Sequence, residues 1–351
     1  MNIPPERYPP VEIIIPHYQR RDMLERCLDS LEKTRYPSMC ITVVDNGGKH
    51  AGLVFMVKRY PNARVLKPGR NRGYAGGCNE ALKLSSAEYV VFMNDDTTQD
   101  PGWLARLVDA ALRYGNAAAF QPKILSSLPA AAGKQVFDYA GGAGGMMDRL
   151  GYPWCLGRVF SSREEDHGQY DGGREIFWAS GVAMLVKRDA VVKLGGFDED
   201  FFMHMEEIDL CWRMKLAGYQ VRSVPESIVF HQGGASLPSG SPEKIYYNHR
   251  NNIAMLLKNR GLAGLLWLIP IRVLLEGGAA LFYLFQYPGA FKKSRAVLLA
   301  ALHNFRDRGV ILRKRREVQV SRVAREREIL RGIPFSCIGR RKAPHPCSAP
   351  T

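Results

Sequence analysis

EYVVFMNDDTTQDPGWLARLVDAALRYG, residues 88–115, is the stretch that decides the fold. It opens on an apolar run, Glu88–Asn94, of the kind that forms a strand buried on both faces. Asn94, Asp95 and Asp96 close that run. A helix over Asp100–Gly115 follows, with Pro101 in its first turn and Gly115 as its stop. Strand, acidic turn and helix in this order form one half of a repeating α/β unit.

The same alternation extends back to the N-terminus. Val11–Ile15, Cys40–Asp45 and Ala63–Lys67 read as strands. Residues 21–34 read as a helix with Met23, Leu24, Cys27, Leu28 and Leu31 on one face, and another helix opens near Tyr74. A β-α-β-α order predicts a mostly parallel sheet covered on both faces. In such sheets ligands bind beyond the carboxyl ends of the strands, where Asp45 and Asn94–Asp96 fall. Further on, residues 130–175 are Gly-rich and predict loops or hairpins. Residues 175–190 return to a strand pattern, and a helix fits Glu206–Ala217 with Gly218 as its stop.

Composition is that of a folded globular chain: 351 residues, 46% hydrophobic and 24% charged, enough for one large domain or two smaller ones. The net charge of +15 is uneven. Residues 291–351 hold sixteen Lys and Arg against four Asp and Glu, which is +12 and leaves +3 for residues 1–290. Arg313–Glu328 is broken by Glu317, Glu326 and Glu328, so it reads as a charged helix or membrane-facing patch and not as a nucleic-acid module. Seven cysteines without a C-x-x-C pair argue against a disulfide framework or zinc site and for reduced thiols in the cytosol. No apolar stretch preceded by basic residues opens the chain, so no secretory signal is expected.

From Leu262 the texture changes. The apolar runs are about half of the roughly 20 residues needed to span a bilayer, and Arg272 and Glu276 interrupt them. This predicts an amphipathic segment lying in the membrane interface; helices packed on the domain and a true membrane helix are the alternatives. The basic end favours anionic lipid, at about 1 kcal/mol per nearby Lys or Arg.

Several short patterns carry chemistry. Asn94, Asp95 and Asp96 are placed to hold a hard divalent cation that bridges nucleotide phosphates, or only to start a turn. GRNRGYAGGCNEAL, residues 69–82, opens a helix whose N–H groups face phosphate in some proteins, but it matches neither glycine-rich nucleotide signature and reads first as a tight, closely packed turn. In FFMHMEEIDLCWRMK, residues 201–215, Glu206 and Asp209 share a helix face, with Glu207 about 100° away. Asp209 is spaced to pair with Arg213. Glu206 and Glu207 sit where the helix dipole favours negative charge. One carboxylate projecting into a cleft would be a general base. His231 ends a short strand, where a lone histidine is by default structural; Arg250 lies on a helix, as a phosphate contact or a paired surface residue.

In this order these pieces resemble the inverting nucleotide-sugar glycosyltransferases of family 2, in particular the rhamnosyltransferase-like bacterial branch. The likeness covers residues 10–260 and is most specific between Trp178 and Val221. It implies a GT-A fold with a mostly parallel central sheet over residues 1–260. An amphipathic, basic, membrane-associating helical extension over 261–335 and a disordered tail over 336–351 would follow. It implies Mg2+ or Mn2+ held by a D-x-D-type motif, with Asp96 as its second acid and Asn94 and Asp95 at the preceding positions. His231 matches a histidine that binds metal or diphosphate. Asp45 matches the acid that contacts the nucleoside, and Pro16, Tyr18, Asn71, Gly73, Trp178, Gly181 and Arg250 fall along the nucleotide-sugar site. The family's base is the second residue of a Glu-Asp pair, here Glu206-Glu207. The implied reaction is direct displacement from a dTDP- or UDP-sugar by a hydroxyl of a glycan or polyprenyl-linked acceptor, at the inner face of the cell membrane. A sugar nucleotidyltransferase would need a Gly-rich loop and an activating Lys near the first strand, and IPHYQRRD offers neither.

Overall fold

The computed structural model describes residues 8–47, 51–128, 134–159, 162–233, 238 and 240–337. Much of the expected tail, residues 338–351, lies outside them.

The first half alternates as its periodicity predicts: β1 (Val11–His17), α1 (Arg21–Leu31), β2 (Met39–Asp45), α2 (Ala51–Val57), β3 (Ala63–Leu66), α3 (Gly73–Leu84) and β4 (Tyr89–Met93). Then come β5 (Thr97–Gln99), α4 (Trp103–Arg113) and β6 (Ala117–Ser126). Pro101 lies just ahead of α4, where Asp100 accepts from the Gly102 N–H and the Arg106 guanidinium. The Gly-rich stretch forms two small hairpins, β7 (Gly144–Met147) with β8 (Pro153–Leu156) and β9 (Arg158–Val159) with β10 (Ser162–Arg163). The remainder of the sheet is β11 (Glu175–Ile176), β12 (Ala183–Lys187) and β13 (Gln220–His231), separated by α5 (Arg188–Lys193) and α6 (Glu206–Leu216).

The sheet order is β11-β13-β6-β12-β4-β1-β2-β3, with β5 paired to β13. β1–β4, β6 and β13 run one way; β12, β11 and β5 run against them. Successive residues of a strand face opposite sides. Ile13, Ile15, Val43 and Val91 therefore enter one core with α1 and α4, while Ile14, Val44, Val90 and Phe92 enter another with α3 and α6. Burial on both faces explains why these strands read as continuous apolar runs.

After β13 come α7 (Pro242–Asn259), α8 (Leu262–Leu284), α9 (Ala290–Arg306), α10 (Arg308–Val320) and α11 (Glu326–Ile329). The expectation of short interrupted apolar runs is corrected here: α8 is one continuous helix of 23 residues, long and apolar enough to cross a membrane by length and composition. Arg272 and Glu276 do not break it, because they face the domain. They pair with each other at 2.6 Å, and Arg272 also donates to the Leu150 carbonyl and lies 4.1 Å from the Tyr152 ring centroid. Leu266, Val273, Leu274 and Leu281 form the opposite, exposed face.

Candidate active site

Register carries the first cluster. His17 stands opposite Asp45 at the paired ends of β1 and β2, and its Nδ1 lies 2.6 Å from Asp95 Oδ2 beyond β4. β5 pairs with β13 so that His231 meets Thr97, which sets the imidazole beside Asp96. His231 Nε2 is 3.1 Å from Asp96 Oδ1 and 3.4 Å from Asn94 Nδ2; its Nδ1 is 2.9 Å from Asp138. Asn94, Asp95, Asp96 and His231 are thus brought together, over 137 residues of chain.

Burial lowers the His231 pKa, but the carboxylates of Asp138 and Asp96 outweigh it and lift the imidazole to about 10. Burial pushes Asp96 up, and His231 outweighs it, holding this carboxyl below its ordinary value. Asp95 is raised by desolvation in spite of His17. Two carboxylates converging on one imidazole make this a place that favours a cation. The residues fit a divalent metal on a further ground: Asp96 Oδ1 is buried and lies off the line of a hydrogen bond. Asp138 stands behind His231 as carboxylates do behind metal-ligating imidazoles. Among the described residues no group of three or more His, Cys, Asp or Glu surrounds a metal position. Two protein ligands suffice where substrate phosphates and water complete the shell, as for Mg2+ in nucleotide sites.

A cavity of about 570 Å³ adjoins this cluster. Tyr139 lines it, with its ring centroid 6.2 Å from that of His231. Trp178, Tyr152, Trp154, His204, Glu207, Arg158 and Lys244 also line it. Trp178 is fixed by donating from Nε1 to the Met146 carbonyl at 2.8 Å.

The approach to Glu207 is strained. Phe202, His204 and Met205 all have positive φ, at 59°, 67° and 72°, a conformation that costs non-glycine residues on the order of 1 kcal/mol or more each. Two elements hold it. Asn251 of α7 donates from Nδ2 to the carbonyls of Phe201, Met203 and His204 at 2.9, 2.9 and 2.8 Å. The start of α3 donates the Tyr74 N–H to the Phe202 carbonyl at 2.8 Å. Gly73 permits that approach: its φ is +66°, and a Cβ there would stand 2.3 Å from the Phe202 oxygen. The Gly-rich motif therefore does close packing against the acidic loop. Asn71 accepts from the Gly73 N–H at 2.8 Å, and Tyr74 Oη donates to the Gly181 carbonyl at 2.7 Å.

The three acids separate. Asp209 is fully buried and bonded to Arg213 at 2.8 Å, as its spacing predicts, and also to Lys258 and Asn259. Glu206 is buried beside Tyr74 and Cys78, and burial and the Glu207 charge hold its pKa well above the ordinary value. Glu207 reaches the cavity wall, and burial raises it to about 7. Its Oε2 makes no hydrogen bond.

Arg250 is not brought to this cavity. Its guanidinium donates to the Asp200 carbonyl and Asn251, and lies 3.8 Å from Asp307 of the C-terminal helices. Lys244 and Asn248 of the same helix reach the cavity instead. Pro16 lies within β1, and Tyr18 beyond it is 51% exposed. Asp45 accepts from the Gly47 N–H at 3.1 Å. Sequence reasoning missed Asp138, Lys244, Arg158 and Asn251. For Asp138 no local signal exists, since its partner is 93 residues away. For Lys244, helical spacing to Asn248 was available.

Residues 12–135 match the family model described as glycosyl transferase family 2. The chain is 29% identical over 287 residues to the N-acetylglucosaminyl-diphospho-decaprenol L-rhamnosyltransferase of Mycobacterium tuberculosis, over 78% of this chain and 91% of that one. Two solved structures share the fold. GalNAc-T7 with UDP, GalNAc and Mn2+ aligns with a TM-score of 0.56 at 15% identity, covering 72% of this chain and 48% of that one. The mannosyltransferase PcManGT from Pyrobaculum calidifontis, with GDP-Man and Mn2+, aligns with a TM-score of 0.52 at 16% identity, covering 86% and 89%. The fold is that of the GT-A glycosyltransferases. Residues 12–135 are similar to glycosyl transferase family 2, and most of the chain is similar to a rhamnosyltransferase.

Proposed function

We propose that this chain moves a sugar, with inversion, from a nucleoside-diphosphate sugar to a hydroxyl of a lipid-linked glycan at the inner membrane face, during assembly of a cell-surface polysaccharide. A rhamnose donor on dTDP is the favoured case, on the strength of the mycobacterial relative. The observation that carries the reading is Glu207, raised to about 7 in a cavity whose wall, through Tyr139, borders the Asp96–His231 pair.

Glu207 accepts the proton of the acceptor hydroxyl as that oxygen bonds to the anomeric carbon. The bond from that carbon to the diphosphate oxygen breaks, and its electron pair leaves with the nucleoside diphosphate. Asp96 and His231 would hold the metal, which supplies Lewis-acid stabilisation to the leaving diphosphate. His17 holds Asp95, and Asp138 orients His231. Tyr152, Trp154 and Trp178 supply aromatic faces against which a sugar stacks. Glu206, whose carboxyl burial and the Glu207 charge hold well above its ordinary pKa, supports the helix start.

The membrane is the second part of the proposal. α8 turns its charged pair inward and its apolar residues outward, the reverse of a soluble surface helix. Lys292, Arg295, Arg313 and Arg316 are exposed on the neighbouring α9 and α10, which suits an anionic lipid surface. Lys314 and Arg315 are engaged inside the protein, with Asp198 and Asp200 and with the carbonyls of Leu257 and Arg260.

Thermal unfolding with dTDP, UDP and GDP, each with and without Mn2+, tests the donor site. A ligand bound only to the native state stabilises by RT ln(1 + [L]/Kd). One nucleotide should raise Tm in a metal-dependent way, and Asp96→Ala should lose the shift. No shift with any nucleotide, in folded protein, would overturn the reading.

A further inference from the structure

The chain enters the strained loop before Glu207 through three consecutive acids, Asp198, Glu199 and Asp200. Glu199–Phe201 form one turn of 3-10 helix, and Asp198 caps it by accepting from the Asp200 N–H at 3.2 Å. Glu199 meets α3, accepting from Asn79 at 3.1 Å and lying 3.5 Å from Arg72. Asp198 and Asp200 meet the C-terminal helices instead. Lys314 of α10 pairs with Asp198 and lies 2.6 Å from Asp200. Lys258 of α7 lies 2.6 Å from Asp198 and 2.9 Å from Asp209 of α6.

Charge balance at Asp198 does not require Lys314, because this buried carboxylate also has Lys258; Asp200 is half exposed and open to water. Burial raises the Asp198 pKa, and Lys258 and Lys314 outweigh it, holding the carboxyl well below its ordinary value. Close packing does not fix the segment here either. Two cavities, of about 410 and 520 Å³, are both lined by Asp198, Lys258 and Lys314. What the Lys314 ammonium adds is a bridge between carboxylates two residues apart, across the turn that aims the chain at Phe202–Met205. The positive φ of Phe202, His204 and Met205 persists only where the surroundings over-determine it. Asn251 and α3 hold the body of that loop. Lys314 holds its start. We propose that Lys314 is a positioning residue for Glu207, acting through Asp198 and Asp200, so that α10 belongs to the catalytic apparatus as well as to the proposed membrane face. The inference rests on the glycosyltransferase reading above.

The test uses the full chain with Lys314→Met and Lys314→Arg. Hydrogen–deuterium exchange reads the loop without turnover. Amides of residues 199–207 should exchange at least about tenfold faster in Lys314→Met, with β1 and α1 unchanged. In the same variant kcat should fall about 10–100-fold while the donor KM stays within about twofold. The rise of kcat with pH should move from about 7 toward the ordinary carboxylate range, because a loosened Glu207 is hydrated. Lys314→Arg, whose guanidinium can bridge two carboxylates, should keep all three properties near wild type. Exchange in residues 199–207 within about twofold of wild type in Lys314→Met overturns the proposal. Exchange that quickens throughout the chain, or a kcat that falls with its pH profile unmoved, marks a structural tie only and overturns it as well. Wild-type protein that transfers no sugar defeats the glycosyltransferase reading instead, and exchange in residues 199–207 still decides whether Lys314 holds the loop.

Discussion

Glu207 carries the cost that the role proposed for it requires. A carboxylate raised from 4.5 to about 7 costs about 3 kcal/mol more to ionise in the folded protein than in the unfolded chain. The sign is opposite to that of a salt-bridged acid. The folded protein holds this proton more tightly than the unfolded chain, so stability falls as pH rises from about 4.5 to about 7. Glu207→Gln should therefore raise Tm at pH 8 and leave it nearly unchanged at pH 5. The same variant should lower kcat at least 10²-fold, the usual contribution of a general base. In wild type, kcat should rise with pH through about 7 and level off. A Gln variant that unfolds earlier at pH 8 would show that the buried carboxylate is stabilised by contacts absent from this geometry. Asp209, two residues on, is paired with Arg213 and Lys258, so its removal strands buried cations and destabilises.

At the scale of elements, catalytic geometry depends on how α3 and α7 grip one strained loop. Asn251 is fully buried, and its amide meets three carbonyls of that loop. Asn251→Ala removes the shared donor of those carbonyls, leaving those of Met203 and His204 without it, at about 1–3 kcal/mol. It should lower kcat by about 10–100-fold, since displacements near 1 Å have such effects. The nucleotide Kd should stay within about twofold, because the residues proposed to hold metal and nucleoside lie on the strand ends. Asn251→Asp should be less stable still at neutral pH, since its carboxylate would face carbonyl oxygens. Equal losses in nucleotide affinity and kcat would mean that the whole domain has loosened. The motif around Gly73 and the motif around Asn251 are far apart in sequence and meet on this loop.

On the scale of the molecule, the C-terminal helices carry the proposed contact with the membrane. Arg272 and Glu276 are tied to Leu150, Tyr152 and His249 of the domain, so α8 would leave a buried ion pair in hydrocarbon if it crossed a bilayer. Lying in the interface keeps that pair in protein and gives the exposed leucines to lipid. Leu274→Glu with Leu281→Glu should reduce sedimentation with phosphatidylglycerol-containing vesicles at least tenfold and leave Tm within about 2 °C, since both side chains are exposed. Undiminished vesicle binding would place the lipid contact elsewhere.

Much was legible without coordinates. The apolar runs at Val11, Cys40 and Tyr89, the acids that end the second and third of them and the helical stripe of α1 set the layered sheet and its candidate edge, because periodicity and turn chemistry are local. The pairing of Asp209 with Arg213 was legible for the same reason. Tertiary structure alone decided the rest. Asp138 reaches His231 across a Gly-rich stretch that has no periodicity, and Arg250 turns away from the cavity while Lys244 enters it. Of two adjacent glutamates, one is buried under a helix start and the other lines the cavity. The charges within α8 read as interruptions until the domain surface that neutralises them was in place. Each of these depends on what stands opposite a side chain across tens of residues of chain, and local pattern holds no record of that.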